Sequence, residues 1–304
     1  MSEEVERPEC KWCGSFNTGK KENPNRFKCY DCGRSFRVKM DVDTISDTIE
    51  REIHKGVGHL NITLPEPEGD RIRLVPLGDI HVGAPEGQCD IKKVVSELNY
   101  ILKTPDTYMI GMGDFMDSAK KVGRGPNIFM SSLSPQQQYD LILKLFRPLA
   151  EKGKIIGLHC GNHEEWITQS TGIQVIYNLC ETLGVPFLGY ACDITIHVGK
   201  QTYLGYSQHG SSSAKMKHTK LGAAIKATGD IFADFFLYGH VHQIGVQKGG
   251  KRLGGKQNKC YYILTGHFLN WEGSYAQAFG MDVGPSGCPQ IKFFVDRHDI
   301  HVSV

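Results

Sequence analysis

No stretch of this 304-residue chain approaches the roughly 20 consecutive apolar residues that a membrane-crossing helix needs. The opening Met1-Ser2-Glu3-Glu4-Val5-Glu6 is acidic and lacks the charged-then-apolar layout of a secretory signal, so an intracellular, cytoplasmic protein is expected. Neither sign of charge dominates: 35 Lys and Arg oppose 33 Asp and Glu, for a net charge of +2. The whole-chain field therefore selects no partner, and any preference for nucleic acid has to come from local patches. There is no internal repeat and no low-complexity tract. What remains is an ordinary globular composition, 40% hydrophobic and 22% charged, long enough for one large core and a small appendage.

Cysteine is not scarce, but its placement is uneven. Four of the ten fall in the first 32 residues, as Cys10-x2-Cys13 and Cys29-x2-Cys32, 15 residues apart. That spacing predicts a structural zinc site on two knuckles, with Gly14 and Gly33 completing the turns. Residues 1–40 are read as a zinc ribbon whose folding energy comes from the metal, since so short a segment buries little core. Trp12, Phe27, Tyr30 and Phe36 are interleaved with cations, Lys28 and Arg34 among them, a mixture suited to stacking on bases and pairing with phosphates. The stretch Arg26-Phe27-x-Cys29 and Cys32-Gly33-Arg34-x-Phe36 resembles the zinc ribbons of transposase and replication proteins. The other six cysteines are expected to act as small buried hydrophobes.

Residues 41–70 are read as a helical connector and linker. Val42, Ile45, Ile49 and Ile53 recur at helical spacing, and a polar, proline-stiffened segment follows from Leu64 to Asp70. From residue 71 to 304 a single larger domain is expected. Apolar runs at Ile72–Leu77, Tyr108–Met112 and Ile155–His159 alternate with helical patterns at Ile91–Leu102, Pro135–Lys152 and Ile173–Leu183, the rhythm of parallel β-α-β units. Later segments predict a hairpin (Ile194–Val198, Thr202–Tyr206), a helix (Ala214–Ala227), a strand (Phe235–Tyr238) and a closing antiparallel set (Tyr261–Leu264, Ile291–Val295).

Metal-ligand side chains stand at the ends of those runs: Asp79-Ile80-His81, Gly113-Asp114, Gly161-Asn162-His163, His209-Gly210 and Gly239-His240-Val241-His242. Ligands of an open α/β sheet gather beyond the carboxyl ends of its strands. Two carboxylates, an amide oxygen and four imidazoles suit Mn, or alternatively Fe or Zn, better than a pure oxygen cage or thiolates would. Two such metals can clamp both oxygens of a phosphoryl transfer and generate hydroxide near neutral pH. Taken together, D-x-H, G-D-x-x-D, G-N-H-E, H and G-H-x-H resemble the calcineurin-like metallophosphoesterase superfamily. The resemblance implies a four-layer α/β/β/α sandwich. It also implies one metal on Asp79, His81 and His242, a second on Asn162, His209 and His240, and Asp114 bridging them. His163 would stabilise charge or protonate the leaving group, and Asp117 would orient a histidine.

Two departures narrow the substrate. Ser118 stands where phosphoprotein phosphatases carry a phosphate-gripping Arg after G-D-x-x-D, and Val82-Gly83 follows D-x-H where they carry Gly. The pattern is closer to the DNA-repair exonuclease branch and to general phosphodiesterases, so a DNA nuclease is expected, with the ribbon as recognition accessory and a homodimer or partner ATPase left open. A phosphomonoesterase or small-molecule phosphodiesterase, with the ribbon as an interaction module, is the alternative. Lys248, Lys251, Arg252, Lys256 and Lys259 occur with no acid among them. The stretch is read as a basic loop beside the metal site that tracks a polyanionic backbone. It also fits G-x4-G-K, but Gln257 replaces the Ser or Thr that would hold Mg²⁺, so it is no nucleotide loop.

Overall fold

The computed structural model describes residues 9–10, 12–20, 26–37, 58–85, 87–118, 131–211, 217–253, 255–270, 272, 277 and 284–304. The chain divides into two units, Met1–Lys55 and Gly56–Val304. In the first, β1 (Thr18–Lys20), β2 (Arg26–Cys29) and β3 (Ser35–Arg37) form an antiparallel sheet in that order. Each Cys-x2-Cys turn closes on a backbone bond, Gly14 N to Cys10 O at 2.8 Å and Gly33 N to Cys29 O at 3.0 Å. Both glycines sit at φ near +70°. The apolar cluster here is Cys10 and Cys29 with Phe27 against them, far too little to fold a chain unaided.

In the second unit, β4 (His59–Thr63), β5 (Arg71–Leu77), α1 (Ile91–Lys103), β6 (Thr107–Gly111), α2 (Pro135–Glu151) and β7 (Ile155–His159) come first. Then follow α3 (Asn162–Thr171), α4 (Val175–Leu183), β8 (Phe187–Gly189), β9 (Ala191–Val198), β10 (Gln201–Gln208) and α5 (Lys217–Ala227). Strands β11 (Phe235–Tyr238), β12 (Ile244–Leu253), β13 (Lys256–Thr265), β14 (Gln290–Phe294) and β15 (Ile300–Ser303) complete it. They build two six-stranded sheets, ordered β15-β14-β5-β6-β7-β8 and β12-β13-β11-β10-β9-β4. Strands β5 to β8 run parallel, and β14 and β15 add antiparallel pairs at one side.

The layers follow from which residues each face buries. Leu74, Ile110 and Ile156 of the first sheet pack against Ile196, Phe235 and Ile263 of the second. The first sheet's other face, with Val75, Leu77 and Met109, meets Leu98 of α1, Phe146 of α2 and Leu179 of α4. Phe236 and Tyr262 on the far side of the second sheet lie under Leu221 and Ile225 of α5. This is the α/β/β/α arrangement expected. Strands covered on both faces read as continuous apolar runs, which is why β5, β6 and β7 are plain in the sequence. Helix α2 starts where its sequence says it should. Pro135 occupies the first turn and Ser134 and Gln137 close a capping box.

Three features differ from expectation. Strand β4, from the stretch read as linker, pairs in parallel with β9 and belongs to the second sheet. Helix α3 starts within the Gly161-Asn162-His163 motif itself, ahead of the helix expected from Ile173. The basic stretch is not a loop: β12 and β13 pair from Ile244↔Thr265 out to Leu253↔Lys256. The helix expected across Asp41 to Lys55 lies outside the described residues. None of the described helices is long and apolar enough to cross a membrane.

Candidate metal centres

In the small unit the sulfurs of Cys10, Cys13, Cys29 and Cys32 all lie within 4.8 Å of one another. Cys10 Sγ is 3.7 Å from Cys32 Sγ, and Cys13 Sγ is 3.6 Å from Cys29 Sγ. A tetrahedron with Zn–S bonds of about 2.3 Å places its sulfurs roughly 3.8 Å apart, so the four thiols fit zinc. A disulfide needs about 2.05 Å and does not fit. Trp12, Phe16 and Tyr30 are exposed, and the Arg34 guanidinium lies 5.3 Å from the Trp12 ring centre.

In the large unit the motif residues converge from both sheets. Asp79 and His81 follow β5, Asp114 follows β6, and Asn162 opens α3 just beyond β7. His209 follows β10, and His240 and His242 follow β11, which runs parallel to β10. Three groups of potential ligands result: Asp79, His81 and His242; Asp114, His209 and His240; and His81, Asp114 and His163. Asp114 belongs to two of them. Its Oδ2 is 3.3 Å from His209 Nε2 and 3.9 Å from His81 Nε2. Asn162 Oδ1 lies 3.1 Å from His209 Nε2.

The backbone is bent to achieve this. Asp79, His81, Asp114, His240 and His242 all have φ between 48° and 66°. Non-glycine residues seldom adopt this left-handed region, and when they do the strain tends to sit at functional sites. Asp and His tolerate it better than most. Backbone bonds brace the turns, with Asp79 N donating to Gly113 O at 2.9 Å and His81 N to Asp114 O at 3.0 Å.

Within each group the candidate ligand atoms lie within 4.8 Å of one another. Asp79 Oδ1 is fully buried and 3.1 Å from His242 Nε2, yet it has no hydrogen bond in proper line. His240 Nδ1 is likewise buried without a partner. Orphaned buried acceptors of this kind cost stability unless an ion or water occupies the site. The carboxylate and imidazole set therefore fits divalent metals.

The charges organise around Asp114. Burial opposes ionisation of His209, but the Asp114 charge and contact overcome it and lift the imidazole to about 10. Burial and the neighbouring His209 push His240 down to about 4. Burial also opposes the Asp114 charge, yet His209 and His163 hold its carboxyl well below the usual range.

His163 is partly exposed at the edge of this cluster. Its Nδ1 is 2.5 Å from Asp117 O and 3.7 Å from Asp117 Oδ1, while its backbone N donates to Asp114 Oδ1 at 2.9 Å. Asp117 Oδ1 also lies 3.5 Å from His81 Nδ1, so one carboxylate addresses both rings. Trp166, one turn further along α3, lies against the His163 ring with centroids 4.1 Å apart.

Two contributors go beyond the ligand reading. The wholly buried Glu164 accepts from the backbone of Asp114, Met116 and Gly161 at 2.9 to 3.0 Å, tying the loop after β6 to the start of α3. The signal was the acidic residue closing Gly-Asn-His-Glu. Gly161 is required by contact: a Cβ there would stand 2.1 Å from Asp114 Oδ1 and 2.2 Å from Asp114 N. His159, by contrast, joins the sheets, its Nε2 lying 2.6 Å from Ser207 Oγ.

The residues expected to touch nucleic acid fall in both units. Lys28 and Arg34 are exposed on the ribbon. Arg252 is exposed on β12, eight positions beyond Ile244. At about 3.3 Å per residue the strand carries Arg252 on the order of 25 Å from its start, which follows His242. The side chains of Lys251 and Lys256 lie outside the described residues, and the Lys248 ammonium sits 5.7 Å from the Tyr261 ring centre.

No family model and no curated protein matches the chain. Solved structures similar to it include a single mutant of Vps29 from Entamoeba histolytica, 14% identical over 76% of this chain and 97% of that one, with a TM-score of 0.35. Vps29 from Cryptosporidium parvum is 14% identical over 77% and 98%, with a TM-score of 0.36. Wild-type Vps29 from Entamoeba histolytica complexed with Zn²⁺ is 12% identical over 76% and 97%, with a TM-score of 0.29. At such scores the likeness carries no argument, and the architecture rests on the sheets and layers described above.

Proposed function

We propose that the chain is a dinuclear metal-dependent phosphoesterase of the calcineurin-like type that hydrolyses phosphodiester bonds, with DNA as the expected substrate. The observation that carries the reading is Asp114, a buried carboxylate shared between two groups of imidazoles and braced by His163 N. Asp79, His81 and His242 would hold one ion, Asn162, His209 and His240 the other, and Asp114 both. Bound there, two divalent ions supply Lewis acidity toward a phosphoryl group and acidify water.

The chain's own residues supply the rest. Asp117 holds His163 through its carbonyl at 2.5 Å and its nearby carboxylate, so Nε2 is the nitrogen left to face a substrate. A proton at that atom can pass to the departing ester oxygen. Ser118 supplies no guanidinium for a phosphate dianion, which favours a diester over a phosphoprotein. The ribbon's exposed aromatics and cations support a role in holding the polynucleotide.

The test is metal analysis of the purified full chain, then digestion of 5′- and 3′-labelled oligonucleotides beside bis-p-nitrophenyl phosphate and p-nitrophenyl phosphate. Mn²⁺-dependent cleavage of the oligonucleotides and the diester, abolished by Asp114→Asn, is expected. Turnover of the monoester alone would remove the nuclease reading.

A further inference from the structure

The Trp166 indole has no lone pair to offer a metal, yet it lies against the residue proposed to deliver the proton. Side chains of a helix lean toward its N-terminus, so a residue three positions along covers the turn before it. Helix α3 begins at Asn162, which puts His163 in its first turn and Trp166 one turn on. The two ring centroids are 4.1 Å apart and the planes tilt by only 35°, so the indole covers a face of the imidazole. The next residue, Ile167, packs against the apolar core instead.

Contacts of another kind grip His163 elsewhere. Its Nδ1 lies 2.5 Å from Asp117 O, leaving Nε2 for the substrate. The His81 ring stands nearly perpendicular to it, with centroids 4.5 Å apart and planes at 82°. A hydrogen bond at Nδ1 fixes one corner of the ring and lets the rest tip about it, carrying Nε2 out of line. A neighbour flat on the face resists that tipping. A misplacement of about 1 Å can cost about a hundredfold in rate, so small errors of aim matter.

We propose that Trp166 is a positioning residue that keeps His163 Nε2 aimed at the departing ester oxygen, which fits the site to esters of poor leaving groups. The inference rests on the hydrolase reading and names the bond it serves. In that step the oxygen of a hydroxide bonds to phosphorus and the ester P–O bond breaks. Its electron pair stays on the departing oxygen, which takes the proton from Nε2. An alkoxide, such as a sugar oxygen of a polynucleotide, needs that proton. A stable anion such as p-nitrophenolate, or the phosphate released from an anhydride, needs it far less.

The experiment uses the Mn²⁺-loaded full chain and two esters of thymidine 5′-monophosphate, the p-nitrophenyl and the phenyl. They differ only in how readily the departing oxygen holds its charge. The readout is the ratio of their kcat/KM values, which does not depend on the fraction of folded or metal-loaded enzyme. Trp166→Ala is expected to slow the phenyl ester about 10- to 100-fold and the p-nitrophenyl ester about threefold or less. Trp166→Phe, which keeps a flat ring, should restore most of the loss. Introduced into His163→Ala, Trp166→Ala should change the ratio no further, because the effect runs through that imidazole. Equal losses on both esters, or a further change of ratio in the His163→Ala background, overturn the proposal. If the wild type cleaves neither ester, the hydrolase reading has failed by itself, and crystal structures of wild type and Trp166→Ala test the positioning separately. A His163 ring that tips or takes two orientations in the variant supports it, and a ring that stays in place overturns it.

Discussion

The Nε2 atoms of His81 and His242, 161 residues apart in sequence, stand 3.2 Å from each other. Two neutral imidazoles can meet this way only if one of them donates a proton, whereas both can offer lone pairs if a cation lies between them. Binding of Mn²⁺ should therefore stabilise the chain, by about 2.7 kcal/mol at a free concentration of one hundred times Kd. Calorimetry with and without the ion checks this. His242→Ala should lose most of the increment, and a melting temperature indifferent to metal would contradict the assignment.

His159, which is not among the candidate ligands, gives a further pH dependence. It is buried between the sheets, and that burial lowers its pKa to about 4 from an ordinary 6.5. The unfolded chain takes up a proton below about 6.5 while the folded one does not until about 4, so stability falls as pH drops through that window. The loss is of order 3 kcal/mol at its limit. Urea midpoints of metal-free protein at pH 7.5, 6 and 5 should show a steeper decline for the wild type than for His159→Gln.

Tyr203 is fully buried on β10, with its hydroxyl 2.7 Å from Phe294 O and 2.9 Å from Arg297 O and accepting from Asp299 N at 3.2 Å. Tyr203→Phe leaves those backbone groups short of a partner and should cost about 1–3 kcal/mol. Denaturant titration measures the loss, and metal content should stay unchanged.

The four thiols predict a zinc that is independent of the ions proposed at Asp114. Cys29→Ser should remove one zinc per chain, since a closed structural site rarely survives the loss of a ligand. Elemental analysis of variant and wild type counts it.

Gly161→Ala tests the packing behind Asp114. The added methyl would stand 2.1 Å from the carboxylate, so either that group or its backbone must shift. A fall in metal affinity of about 10- to 100-fold is expected, the usual effect of disturbing a ligand's support. Isothermal titration with Mn²⁺ reads it directly.

Much of this was legible because β5, β6 and β7 carry the apolar runs Leu74–Leu77, Met109–Ile110 and Ile155–Leu158 and end at the metal motifs. What stayed hidden had weak local signals. Helix α3 buries little besides Glu164, leaving no periodic stripe to find. Strand β12 runs through Gly249-Gly250-Lys251-Arg252, poor strand formers that extend because β13 pairs with them. At Asp79, His81, Asp114, His240 and His242 the candidate ligands themselves adopt the left-handed backbone. No composition rule announces that, since the neighbouring strands impose it.

Strand β4 has a practical corollary. It is the outermost member of its sheet, and it comes from sequence ahead of residue 71. A fragment begun at Arg71, where the first apolar run suggests a boundary, would leave one long side of β9 with bare amides and carbonyls. Such a margin recruits other chains, so that truncation should precipitate or self-associate while one begun at Gly56 stays monodisperse.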